Sequence, residues 1–371
     1  MKIYPFKASY PERDLIADID SFLGKVKQQY REFADSGFFN TDQTPSLFLY
    51  SIKNRNGKNH TGILASAGLE EYQLGNIVVH EHTIADKEQQ QMELILQRHA
   101  MVKPILLCFE PTENYPKLIE KWLSEARLFY SVDIDLGTQH DFYKIEKAST
   151  IEEIRNFFDQ NISKAYIADG HHRAAATSRL YKKYSQEVDQ HPEIPSILSV
   201  FFPYDQLEVH DYNRVVEVLN SISPTLFMAR MSQYLDISPL DVPAKPGTQG
   251  QLTCFINREW YRLDWRTEKI QSFTNNGVEN DYQLFNEIIL KEILEIEDVR
   301  SDNRISYVEG TAGIQGMIDA TQKSDLRVGF CLYPLSLSNM ISVADQKATL
   351  PPKSTWFVPR IKNGLIVQEI D

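Results

Sequence analysis

An apolar strand end, a polar turn and an alanine-rich helix follow one another without a spacer in Tyr166-Ile167-Ala168-Asp169-Gly170-His171-His172-Arg173-Ala174-Ala175-Ala176. Such a run fixes the local fold: a strand must end at its edge of a sheet and the chain must turn at once into a helix. Gly170 lets the backbone turn tightly and approach a ligand, while the first turn of the helix offers N–H groups without helical acceptors and the positive end of its dipole. Arg173 falls in that first turn, where the dipole favours an acid. A cation there points to an anion shared between guanidinium and backbone.

The pattern of the remaining chain predicts an α+β protein, a mixed β-sheet with flanking helices. Leu15, Ile16, Ile19, Phe22, Leu23 and Val26 have helical spacing after Pro11, which predicts an opening helix over 12–35 that serves packing. Leu47–Ile52 and Thr61–Ser66 flank an Asn-Gly turn and read as a hairpin. Ile77-Val78-Val79 reads as a strand leading into His80-Glu81-His82-Thr83 and a helix from about Asp86. Pro104–Phe109 and Phe142–Ile145 add strands, and Thr150-Ile151-Glu152-Glu153 has the capping-box pattern of a helix start. A new run begins at Ser196 after Pro192 and Pro195, placing a first α+β domain over 1–190 and a second over 191–371. In the second, Leu207–Leu219 reads as a short strand turning into a helix. Gly247–Trp265 reads as a hairpin, Asp281–Leu294 as an amphipathic helix, and Asp325–Leu332 with Ser336–Ala344 as a strand and its helix.

Composition narrows the function classes. A formal charge of −12 over 371 residues speaks against wrapping nucleic acid, which needs a basic face, but leaves room for a local basic pocket and a small anionic ligand. No apolar run reaches bilayer length, and Met1–Lys7 lacks the apolar core of a secretory signal, so no membrane partner and a cytoplasmic location are expected. Cys108, Cys254 and Cys331 are far apart in apolar stretches and read as buried thiols. The Gly-Lys-Ser phosphate loop, the dinucleotide glycine fingerprint and the Gly-x-Ser-x-Gly elbow do not occur.

The His80–Thr83 segment repeats the strand–turn–helix layout. If the strand continued through it, His80 and His82 would share one face and Glu81 the other, giving a base with orienting neighbours or two metal ligands. Near the C-terminus, Pro351-Pro352-Lys353-Ser354-Thr355-Trp356 sets a cation, two hydroxyls and an indole on a proline-stiffened loop, a combination that holds an anionic group and stacks a ring.

These segments carry a resemblance. Ile3-Tyr4-Pro5-Phe6, Thr61-Gly62-Ile63, His80–Thr83 with Asp86-Lys87, Tyr166–Arg173, Asp211-Tyr212-Asn213-Arg214 and Pro351–Phe357 together look like the bacterial family known as domain of unknown function 1015. The Pro-Tyr-Asp-Val segment that many relatives carry after the first helix is missing from this chain. The Asp-Gly-His-His-Arg turn is also similar to the nucleotide-phosphate motif of the ParB and sulfiredoxin superfamily, which includes free-serine kinases. That second resemblance implies a ParB/sulfiredoxin-like nucleotide-binding core and a nucleotide-dependent phosphotransferase acting on a serine-like hydroxyl. Its cofactors would be ATP or ADP with magnesium. Gly170, His171, His172 and Arg173 would bind phosphoryl groups, and Asp169 would position them or a magnesium ion; Lys353, Ser354 and Thr355 join the cofactor-binding candidates from the chemistry of their own loop. Glu81 would take the hydroxyl proton, with His82 beside it in the catalytic group. Two other readings stay open: a nucleotide-binding regulator without chemistry, and a metal-dependent hydrolase built on His80, His82, His171 and His172.

Overall fold

In a computed structural model the described residues are 1–55, 57–134, 137–184, 196–274 and 280–370. They form two compact units, one of Met1–Glu208 with Pro359–Asp371 and one of Val209–Val358. Pro192 and Pro195, near which the sequence places a domain boundary, lie outside the described residues.

In the first unit a mixed sheet runs in the order Ile77–Val78, Ala165–Asp169, Ile105–Phe109, Ser196–Pro203, Asn59–Gly68, Leu47–Lys53, Thr138–Ile145 and Arg127–Ile134, with Ile3–Tyr4 also on Asn59–Gly68. Ile77–Val78 is parallel to Ala165–Asp169, and Ile105–Phe109 is parallel to Ser196–Pro203. The remaining pairings are antiparallel, so the mixed α+β class holds. Ile105–Phe109 and Ser196–Pro203 are buried along their whole length, which explains their unbroken apolar sequences. The Leu47–Lys53 and Asn59–Gly68 hairpin forms as expected, with Gly57 at φ +80° in its turn. A smaller sheet joins Phe39–Thr41, Ala8–Pro11, Val367–Glu369 and Ala100–Met101, so residues from both ends of the chain pair side by side.

The second unit holds an antiparallel sheet in the order Leu235–Leu240, Glu259–Trp265, Gln251–Ile256, Arg327–Leu332, Tyr212–Glu217 and Ile305–Glu309. Cys254 and Cys331 lie buried in its strands, and Cys108 is buried in the first unit.

Several local readings need correction. The opening helix spans Ile19–Asp35, and Leu15 instead ends a short 3-10 turn with 53% of its surface exposed. Tyr212–Glu217 is a central strand buried on both faces, so its consecutive valines mimic a helix pattern, and the next helix starts only at Pro224. The Thr150 capping box does not form, because the helix begins at Ala148 and the Thr150 hydroxyl donates to the Glu125 carboxylate. Beyond Leu284, the amphipathic segment continues as a π-helix over Phe285–Ile293.

Candidate functional site

Because Ile77–Val78 and Ala165–Asp169 run parallel, with Ile77 beside Ala165 and Val78 beside Tyr166, both chains leave the sheet at the same edge. Each then enters a helix, Ala85–Arg98 and His171–Tyr184, and the two helices pack together. The turns meet. His80 and His171 are both buried, their rings edge to face with centroids 4.5 Å apart. His80 Nδ1 and His171 Nε2 have no hydrogen-bond partner among the described residues. Burial lowers the His80 pKa to about 4, and burial reinforced by His80 holds His171 well below the usual imidazole range. Both rings are neutral at pH 7.

The expected alternation through this turn is not found. The strand ends at Val78, so His80 is buried while His82 is exposed and Glu81 half-buried. Among the described residues, no group of three or more His, Cys, Asp and Glu side chains is arranged to hold a metal ion.

Gly170 adopts φ +111°, which L side chains rarely reach, and a Cβ there would meet Arg173 Nη2 at 2.7 Å and Ile105 Cγ2 at 2.8 Å. The missing side chain lets Arg173 fold back onto Asp169. Arg173 Nη2 donates to Asp169 Oδ2 at 2.9 Å and to the Pro104 carbonyl at 3.3 Å. Lys103 Nζ lies 3.2 Å from the same Asp169 oxygen, and Arg360 Nη2 is 3.7 Å from Oδ1. Burial alone would raise the Asp169 pKa, but Arg173, Lys103 and Arg360 outweigh it and hold the carboxyl well below its ordinary range. The Lys103 pKa also falls, but for a different reason: burial, then the neighbouring Arg173, brings it down to about 8. Three cations around one carboxylate leave an excess of positive charge.

That excess borders a cleft of about 180 Å³, whose wall includes Lys27, Arg98, Lys103 and Arg173 over an apolar floor containing Ile95 and Ile105. Among the described residues, its lining contains no carboxylate. Arg173 Nε is buried without an acceptor.

The Pro351–Trp356 loop belongs to the second unit. There Arg214, 2% exposed, donates to the carbonyls of Tyr212, Pro352 and Lys353 at 2.5, 3.2 and 3.0 Å. Its guanidinium also lies over the rings of Tyr282 and Tyr307 at 5.3 and 4.9 Å. Lys353 takes a left-handed φ of +63° and sets its ammonium 5.6 Å from the Tyr212 ring centre. Ser354 is buried, its hydroxyl donating to the Pro351 carbonyl at 2.7 Å, and Thr355 is half-buried. Asp211 accepts from Lys245 at 2.8 Å and from Asn213 at 2.5 Å. The Asp-Tyr-Asn-Arg segment thus fastens the loop that carries Lys353.

Over residues 6–286 the sequence matches the family described as Protein of unknown function (DUF1015). The chain belongs to that family. The match spans the His80 and Asp169–Arg173 turns, whereas Lys353, Ser354, Thr355 and Arg360 of this family member lie beyond it. No curated protein matches the chain. Among solved structures it is similar to SbnI with a C-terminal truncation from Staphylococcus aureus, at 12% identity and TM-score 0.44 over 81% of this chain and 85% of that one. It is similar to a free serine kinase variant in complex with ADP, at 12% identity and TM-score 0.41 over 80% and 87%. A conserved hypothetical protein from Pyrococcus furiosus is similar at 12% identity and TM-score 0.40 over 82% and 95%.

Lys27, Arg98, Lys103 and Arg360 escape a reading of sequence. Lys27 sits on the helix assigned to packing, and Arg98 ends the helix after the His80 turn. Only Lys103, placed directly before a buried strand, stands where a sequence signal could have marked it.

Proposed function

We propose that the first unit binds the phosphates of ADP or ATP in the cationic cleft and transfers a phosphoryl group to a hydroxyl acceptor. The observation that carries this reading is the positive excess around Asp169, next to a cleft with no carboxylate among the described residues of its wall. Phosphoryl transfer depends on positioning and on stabilising charge, which such a cluster supplies. Arg173 and Lys103 would hold phosphate oxygens, and Gly170, His171 and His172 would present the start of their helix to them. Asp169 would act as the post that orients the cations. Both of its oxygens face cations, which does not fit a resident magnesium ion.

In the transfer, the acceptor oxygen forms a bond to phosphorus as the bond from phosphorus to the departing nucleotide oxygen breaks. The acceptor's proton passes to Glu81, which follows His80 in the turn packed against His171. His82, exposed on the same turn, would meet the acceptor. Lys353, Ser354 and Thr355 remain candidates for holding an anionic group within the second unit.

The lack of a carboxylate among the described residues of the cleft lining also supports a second reading, a nucleotide-binding regulator without chemistry. One experiment separates them. Calorimetry with ADP and ATP, with and without magnesium, should show binding that Arg173→Ala weakens by about 2 kcal/mol. Glu81→Gln should bind nucleotide normally and lose turnover of hydroxyl acceptors. Absence of turnover in the parent, with binding intact, would leave the regulator.

A further inference from the structure

Arg98 presents an unsolved electrostatic problem. It closes the helix Ala85–Arg98, immediately before His99 in left-handed conformation at φ +50°. A cation is favoured at that end of a helix, and such side chains commonly bond the last carbonyls. Arg98 does not: it is only 5% exposed, and its Nε and Nη2 are buried without an acceptor among the described residues. Around it the cleft wall is apolar, with Ile95, Ala100, Met101 and Val102, and the other charged side chains of the wall, Lys27, Lys103 and Arg173, are all cations. A buried guanidinium with idle donors is costly in a folded protein unless an anion completes it. Nothing in the Asp169 cluster does so, since that carboxylate is engaged by Arg173, Lys103 and Arg360.

We propose that Arg98 and Lys27 form a second oxyanion subsite in this cleft, beyond the Arg173–Lys103 end, so that the bound ligands carry at least two separate anionic groups. The second group is an oxyanion that accepts from Arg98 Nε and Nη2 side by side, a geometry suited to a carboxylate or a phosphate. Lys27 couples the two ends: partial desolvation, then Arg173, then Arg98 lower its pKa. A second oxyanion relieves that mutual repulsion. Two sources share this chemistry, a further phosphate on a polyphosphate chain and the carboxylate of an acceptor. The proposal rests on the phosphate-binding reading only for what occupies the Arg173 end.

The test uses the full chain, Arg98→Met, Lys27→Met and Arg173→Ala, with inorganic phosphate, inorganic pyrophosphate, and glycerate added in the presence of phosphate. Removing an uncompensated buried charge should raise the melting temperature of ligand-free Arg98→Met by about 3 °C. Binding at the second subsite should weaken about tenfold or more in Arg98→Met, and less in the exposed Lys27→Met, while single phosphate binding changes by less than about threefold. Loss confined to pyrophosphate assigns the subsite to a phosphate chain. Loss confined to glycerate assigns it to an acceptor carboxylate. The proposal is overturned if Arg98→Met melts lower than the parent, as for a structural cation, or if both variants bind pyrophosphate and glycerate as the parent does. Sensitivity to Arg98→Met without sensitivity of phosphate to Arg173→Ala would retain this subsite and remove the phosphotransfer reading.

Discussion

The rings of His80 and His171 meet edge to face, 4.5 Å between centroids, although ninety residues separate them in the chain. Each closes one turn at the same sheet edge, and each is buried with an idle ring nitrogen. Two neutral imidazoles tolerate that arrangement; a protonated one would be both desolvated and close to Arg173.

Acid should therefore destabilise the first unit. Burial lowers the His80 pKa from 6.5 to about 4, so between these values the unfolded chain binds a proton that the folded chain does not. Stability falls as pH drops through this window, by about 3 kcal/mol at most from His80, and His171 acts in the same direction. Thermal melts from pH 7 to pH 4 should show the decline, and His80→Phe should flatten it. An unchanged slope would assign the acid sensitivity to other groups.

Lys103 predicts a pH effect on binding. Its pKa of about 8 in the free protein means that the cation is lost as pH rises through that value, whereas a bound anion requires it. Affinity for inorganic phosphate should fall above pH 8, with uptake of one proton per phosphate bound, measured by calorimetry in buffers of different ionisation heat. Lys103→Arg should bind phosphate with little pH dependence over the same range. In the free protein the sign for stability is reversed: between about 8 and 10.5 the unfolded chain binds the extra proton, so stability rises with pH.

Gly170→Ala should damage both fold and site. It combines a strained φ of +111° with contacts at 2.7 and 2.8 Å to Arg173 Nη2 and Ile105 Cγ2, and a loss of about 2 kcal/mol or more is expected in denaturant titrations. Phosphate affinity should fall with it, since Arg173 must move. Gly24→Ala is the matched control, because that glycine lies within the helix Ile19–Asp35 and its Cβ meets nothing within 4 Å. It should stabilise by about 0.5–1 kcal/mol.

In the second unit, Arg214→Lys keeps the charge and loses the fork that reaches three carbonyls. A loss of about 3 kcal/mol is expected. Hydrogen exchange should show early opening around Lys353. Exchange as slow as in the parent would mean that the loop is held by other contacts.

Legibility in the sequence follows locality. Asp169-Gly170-His171-His172-Arg173 is readable because strand end, tight turn and helix start are consecutive, and the His80 turn because it repeats that layout. Their convergence follows once the two short strands are parallel. The cations of the cleft have no such signature. Lys27, Arg98 and Arg360 come from separate parts of the chain, and each looks like an ordinary solvated charge until the fold assembles them; Lys103 is marked only by its place before a buried strand. Tyr212–Glu217 fails for a different reason: burial on both faces erases the alternation by which a strand is recognised.

The return of Pro359–Asp371 to the first unit has a consequence for biosynthesis. A ribosome must make all of Val209–Val358 before it delivers Arg360 to Asp169, Asn363 to the cleft wall, and Val367–Glu369 to the space between Ala8–Pro11 and Ala100–Met101. Until then a nascent first unit holds an open sheet edge and a cleft without Asn363, so anion binding in this architecture matures only after the second unit has been made.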